Sequence, residues 1–153
     1  MPRLSPALLV LTLSIAPPAA AQLTVQGVRD LDFGVVLQGV PASVLPTDPT
    51  KSGQFYFLTP GIGSRVRIRF TLPTRLNGPG GATMPIGFRS NDALIRGTAP
   101  SSVPIFFDPN GPRNFRMSSS PDANVWLGGQ VTPAPTQAVG TYTATVVMTV
   151  TLF

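Results

Sequence analysis

Cysteine, histidine and glutamate are all missing from this 153-residue chain, and lysine occurs once. Without cysteine there is no disulfide framework and no thiolate metal site, so stability has to come from packing. Without histidine the commonest metal ligand and the commonest general base are gone. Serines are plentiful, but the usual base that would activate one is missing. Charged residues make up only 11% of the chain, and all six acids are aspartates. No apolar run approaches the roughly 20 residues that a membrane-spanning helix requires.

What is present is punctuation. The chain has 15 glycines and 18 prolines, and every glycine lies beyond residue 26. Segments of the Glu, Lys and Ala type that build helices are lacking. This composition predicts short strands joined by Gly/Pro turns, an all-β sandwich or barrel. The start of the chain reads differently. Arg3 gives a short positive lead, residues 7–16 are apolar apart from Thr12 and Ser14, Pro17 and Pro18 break the run, and Ala19, Ala20 and Ala21 precede Gln22. That order predicts a secretory signal peptide over residues 1–21 and one domain over residues 22–153. The expected location is therefore the periplasm or the cell surface. After cleavage the chain would keep ten basic and six acidic side chains, a net charge of +4.

Alternation is clearest over residues 140–153. Tyr142, Ala144, Val146, Met148, Val150 and Leu152 share one face, threonines dominate the other, and Val147 is the break. This is the period of a half-buried strand in residue types that suit a pleated surface. A strand of that length must find its neighbours elsewhere in the fold or in another molecule. Residues 65–72 form the second alternating stretch, with Val66, Ile68, Phe70 and Leu72 inward and Arg65, Arg67 and Arg69 outward. The arginines read as the wet face of that strand, with an anion- or polysaccharide-binding stripe as the alternative. Further strands are expected at residues 54–58, 84–88 and 125–131, with one or two over residues 23–37. Residues 105–107 and 114–117 flank an Asp-Pro-Asn-Gly-Pro stretch with hairpin-loop chemistry. Residues 39–51, 90–104, 118–124 and 132–139 read as loops. The total is seven to nine strands and no helix.

Possible chemical motifs reduce to turns. Gly61 and Gly63 precede a strand, and Pro79 removes a donor from the Gly78–Gly81 run, so neither makes a phosphate cradle at a helix start. Asp32-Phe33-Gly34 matches three letters of a kinase signature and nothing else of it. Asp30 and Asp32 would share a strand face, but two carboxylates fall short of the six to eight oxygens of a calcium site. Trp126 and the aromatics Phe55, Tyr56, Phe57, Phe106 and Phe107 suit either a sugar platform or a sandwich core. Three consecutive rings cannot all point inward, so Tyr56 is the expected exposed one. Phe153 after an alternating strand resembles the ends of outer-membrane barrels, but too few stretches reach barrel-strand length. No catalytic residue, metal site or cofactor site is expected.

The order of these features is similar to a known group. Leu31-Asp32-Phe33-Gly34-Val35-Val36 resembles the "L-x-F-G" first-strand signature of spore coat protein U and the archaic chaperone–usher pilins. Residues 54–58, 66–76 and 78–88 are similar to a related family of secreted bacterial domains of unassigned function. So are Val125-Trp126-Leu127-Gly128-Gly129-Gln130 and Ala138-Val139-Gly140-Thr141-Tyr142-Thr143. The resemblance implies an immunoglobulin-like, pilin-like β-sandwich without enzymatic activity. It implies a structural subunit of a surface fibre or coat, assembled by strand exchange with other copies or related subunits, with a periplasmic chaperone and usher as partners. The face from Tyr142 to Leu152 would then border the acceptor groove. Leu23, Val25 and Val28 in residues 22–28 would be the donor segment. Two features depart from the pilins: the cysteine pair of the archaic members is absent, and the N-terminal segment is short. The alternative is a self-complete monomeric sandwich whose N-terminal segment folds back on its own sheet and which binds a ligand such as a glycan.

Overall fold

The computed structural model describes residues 22–153, so the expected signal peptide at residues 1–21 lies outside the described residues. Twelve strands follow one another in chain order. They are β1 (Thr24–Arg29), β2 (Ala42–Val44), β3 (Gly53–Leu58), β4 (Arg65–Thr71), β5 (Arg75–Asn77) and β6 (Thr83–Gly87). Then come β7 (Ala93–Gly97), β8 (Ile105–Phe107), β9 (Arg113–Arg116), β10 (Asp122–Leu127), β11 (Gly129–Val131) and β12 (Val147–Leu152). A single 3-10 turn at Pro79–Gly81 is the only helical piece among the described residues. Every strand pairing is antiparallel.

The strands form an all-β sandwich of the immunoglobulin-like kind. One layer is the five-stranded sheet β1-β3-β10-β7-β8. The three-stranded sheet β12-β4-β9 faces it, and the four-stranded sheet β2-β11-β6-β5 is reached from β10 through Gly128. The main core lies between the first two, where Phe57, Val125 and Leu127 meet Val66, Ile68 and Val150. Rings lock the layers together: Phe55 packs edge-on against Phe70 at 5.7 Å, and Phe107 against Phe115 at 5.1 Å. A smaller core gathers Met84, Ile86 and Val131 with Phe33, Val36, Leu76 and Tyr142.

The alternating stretches land as their patterns demand. Along β4 the odd-numbered arginines are exposed while Val66, Ile68 and Phe70 are buried. Along β10, Ala123, Val125 and Leu127 are buried against the core. In β3, Phe57 is fully buried and Tyr56 points outward, its hydroxyl donating to Asp122 Oδ2 at 3.0 Å.

Several expectations need correction. Residues 90–104 are not all loop: β7 lies there and occupies the fourth place in the large sheet. Its buried run is only Ala93, Leu94 and Ile95, too short between polar neighbours to show a period. A three-residue strand, β2, likewise interrupts the expected 39–51 loop. Residues 31–37 form no regular strand. Residues 108–112 do not close a hairpin. They cross between layers, since β8 pairs with β7 and β9 with β4. Both ends of that crossing carry an inward ring, Phe107 and Phe115, which reward opposite sheets over adjacent strands. The 125–131 stretch is also two strands. At Gly128 the chain passes from the large sheet to the four-stranded one, where a methyl group would collide with the Val44 carbonyl oxygen. A strand that switches sheets at a small residue is a known way to make a sandwich corner.

The long final strand is shorter than its pattern. Only residues 147–152 form β12, and residue 143 makes an isolated bridge to Asn77. The face is nevertheless the expected one. Met148 and Val150 are 8% and 6% exposed, and Val146 packs against the core at its edge.

Candidate functional site

A groove of ≈ 850 Å³ opens between residues 30–38 and residues 138–146. Its floor is apolar, with Phe55, Leu76, Met84, Ile86, Leu127 and Val131. Each wall carries, or runs into, a backbone edge that has no strand partner among the described residues.

The first wall is set by local turn chemistry. Asp32 N donates to Lys51 O at 2.9 Å, and Asp32 Oδ1 accepts from Gly34 N at 2.7 Å. Gly34 then takes φ of +66°, a conformation that L side chains avoid. This turn points Phe33 and Val36 into the smaller core while Val35 stands out in solvent. Between Gly34 and Gln38 no backbone amide donates to another strand among the described residues.

The second wall is residues 140–146 running into β12. Thr143 exchanges both backbone hydrogen bonds with Asn77, at 2.8 and 2.9 Å. Val147 then faces Thr71, and the pairing with β4 continues to Leu152 opposite Val66. Phe153 N donates to Arg65 O, so the odd-numbered residues of β12 bond to β4. In an antiparallel ladder the alternate residues then direct their N–H and C=O groups the other way. Among the described residues, Met148, Val150 and Leu152 therefore offer unpaired backbone groups along the outer edge of β12, which is the last strand of its sheet.

One end of the groove is clamped by a buried glutamine. Gln137 Nε2 donates to Thr83 O at 3.1 Å and to the Tyr142 hydroxyl at 2.7 Å. Its Oε1 accepts from Ala134 N at 3.2 Å, and its carbonyl accepts from Gln38 Nε2 at 2.5 Å. The Tyr142 hydroxyl in turn donates a hydrogen bond to Ala138 O at 2.7 Å. The tyrosine ring lies against Gly78, where any side chain would collide with it. Gln137 thus ties both walls and the floor to one point. The other end is held by Arg29, whose guanidinium donates to Ser52 O at 2.8 Å, to Ser52 Oγ at 3.0 Å and to Pro49 O.

The six expected acceptor residues divide by depth. Tyr142 and Val146 are half-buried beside the groove, Ala144 is exposed in its wall, and Met148 and Val150 belong to the main core. Leu152 is 44% exposed at the far end of β12. Of the three expected donor residues, Val25 and Val28 lie on the molecule's own large sheet and Leu23 directly precedes it. Leu23 packs at the core margin, Val25 is in β1 opposite Phe57, and Val28 sits at a register shift in the β1–β3 pairing. Val25 and Val28 are 38% and 51% exposed. The groove floor and the Gln137 clamp escaped sequence reasoning, because Leu76, Met84 and Ile86 come from short strands and Gln137 from a Pro/Ala loop. A polar residue in such a loop gives no signal of its burial.

The lining offers packing surface and backbone hydrogen bonds. No three Asp, Glu, His or Cys side chains gather as a metal site among the described residues. No family model, curated protein or solved structure matches the chain. No helix among the described residues is long and apolar enough to cross a membrane.

Proposed function

We propose that this protein is a non-catalytic, secreted structural subunit of a surface fibre or coat, and that its groove receives an extended strand from another molecule. The observation that carries this reading is the edge of β12, unpaired among the described residues, which continues the chain from the 140–146 wall of an apolar groove. An incoming strand would find backbone partners at Met148, Val150 and Leu152 and apolar contacts on the floor. This is β-strand addition, in which main-chain bonds give affinity and alternate side-chain pockets give register. Each aliphatic side chain buried would contribute about 1.5–3 kcal/mol. The resemblance to spore coat protein U and the archaic pilins points the same way. It also names the partners: further copies or related subunits, and a periplasmic chaperone and usher.

The donor in this reading is residues 22–28 of a second copy. In the isolated molecule that segment pairs with β3, but its side chains are mostly exposed, so leaving β3 forfeits little burial. A second reading rests on the same pairing. The antiparallel pairing of β1 with β3 also fits a self-complete monomer that binds a ligand such as a glycan.

Deleting residues 22–28 separates the two. Under strand exchange, the truncated chain folds, elutes as a monomer, and takes up a synthetic peptide of residues 22–30. The full-length domain at high concentration then forms dimers and longer species that the truncation abolishes. If the truncated chain is instead misfolded and the intact domain stays monomeric at all concentrations, the exchange reading fails.

A further inference from the structure

The outer face of the three-stranded sheet carries a second, independent feature. β4 presents Arg65, Arg67 and Arg69 to solvent. The register then sets Arg116 of β9 directly opposite Arg65, and Asn114 opposite Arg67. On the other flank Thr151 and Thr149 of β12 stand opposite Arg67 and Arg69. None of the three strands contains an acidic residue. Among the described residues, the aspartate carboxylates with hydrogen bonds turn to backbone amides or to Asn, Thr and Tyr side chains, and none accepts from an arginine side chain. Arg67 alone is held within the face: its Nε donates to Asn114 Oδ1 at 3.0 Å, and its guanidinium lies 5.3 Å from the centre of the Phe153 ring.

Like charges set directly opposite on a sheet oppose folding. Arg65 and Arg116 are such a pair, and nothing among the described residues neutralises them. The arginines of β4 recur about every 7 Å along a straight line, the two-residue repeat of a strand. Guanidinium groups favour carboxylate and sulfate or phosphate oxygens, which they bind with paired donors. A straight row of this kind fits a linear polymer with regularly spaced negative charge.

We propose that this face binds an acidic polysaccharide, a chain of uronate type whose carboxylates meet Arg65, Arg67, Arg69 and Arg116 while its hydroxyls meet Thr149, Thr151 and Asn114. The charge complementarity selects an anion, and the neighbours of the row select among anions. Single-stranded nucleic acid is held by basic grooves interleaved with stacking rings, and the one ring on this face, Phe153, is already covered by Arg67. A membrane surface is met by basic residues bordering an apolar body that sinks into it. Here the row is bordered by threonines and asparagine, and Val147 and Phe153 stand at opposite ends of β12. The face lies on the outside of the sheet, so the groove and its strand acceptor are not involved.

Titration calorimetry with polygalacturonate, neutral dextran and phosphatidylglycerol vesicles tests this on the purified protein. The protein should bind polygalacturonate at low salt, lose affinity steadily as salt rises, and ignore dextran. R67Q/R69Q should weaken binding at least about tenfold, and R75Q/R96Q, the same charge loss elsewhere, by less than about threefold. R65Q/R116Q should weaken binding and also raise the melting temperature, since it removes the opposed pair. It decides the matter if R67Q/R69Q does not fold. Absence of polygalacturonate binding, equal losses in the control variant, or tighter binding to the vesicles than to the polymer each overturns the proposal.

Discussion

At the residue scale a few small or polar side chains hold what many apolar ones merely fill. Gly128 permits the passage from β10 to β11, because the Val44 carbonyl occupies the space of any side chain. G128A should lower stability by about 2–3 kcal/mol, measurable as a lower urea midpoint with an unchanged m-value. Tyr142 has a different task. Y142F keeps the ring on Gly78 but strips the Ala138 carbonyl and Gln137 of one partner each. The expected cost is about 1–2 kcal/mol, with a larger loss of amide-exchange protection in residues 138–143 than elsewhere. Asp48 gives a pH signature. Its carboxylate accepts from the backbone N–H of Thr50 and Lys51 and from the Thr50 hydroxyl, which hold its pKa below the ordinary 3.8. A depressed carboxylate stabilises the fold above its unfolded pKa and loses that contribution as pH falls through the folded value. Wild type should therefore melt above D48N at pH 7, with the gap closing below about pH 4.

At the scale of elements, the side-chain period identified faces better than boundaries. The inward set of β4 could be read directly, because Val66, Ile68 and Phe70 alternate with arginines. β12 was legible in the same way, but its length was not: the Tyr142, Ala144 and Val146 part of the pattern lies outside any strand except for the Thr143 bridge. Alternation records which residues face the core, not whether a backbone neighbour is there. The contrast within β12 makes a test. M148A should cost about 2–5 kcal/mol as a large-to-small core change, whereas L152A should stay within about 0.5 kcal/mol. Equal effects in a thermal-melt comparison would contradict the face assignment. β7 shows the opposite case, a buried strand whose three apolar residues leave no period to detect.

At the scale of the whole molecule the pairings are long-range. β3 pairs with β10, and β4 with β12, bringing together segments separated by about half the domain or more. Non-local sheets of this kind fold in milliseconds to seconds, because loop closure has to precede any stabilising contact. Stopped-flow refolding followed by Trp126 fluorescence should show its main phase in that range, and a microsecond phase carrying most of the amplitude would contradict the topology. The same topology leaves β12 at the end of its sheet, and exposed edges invite another chain. In the proposed function that edge is the assembly surface, while the arginine row occupies the sheet's outer face.

Composition and alternation by themselves determined the class of the molecule. A chain without helix-forming segments, rich in glycine and proline, with threonine and arginine alternating against Val, Ile and Phe, can bury its apolar face only by stacking one sheet on another. The sequence also marked the positions of the strongest strands and the outward side of β4. Only the tertiary structure decided which strands are neighbours, where the chain changes sheets, and which edges stay open. Those outcomes depend on contacts between residues remote in the chain, such as Gly128 with Val44, Gln137 with Gln38, and Arg65 with Arg116, and no local pattern encodes them.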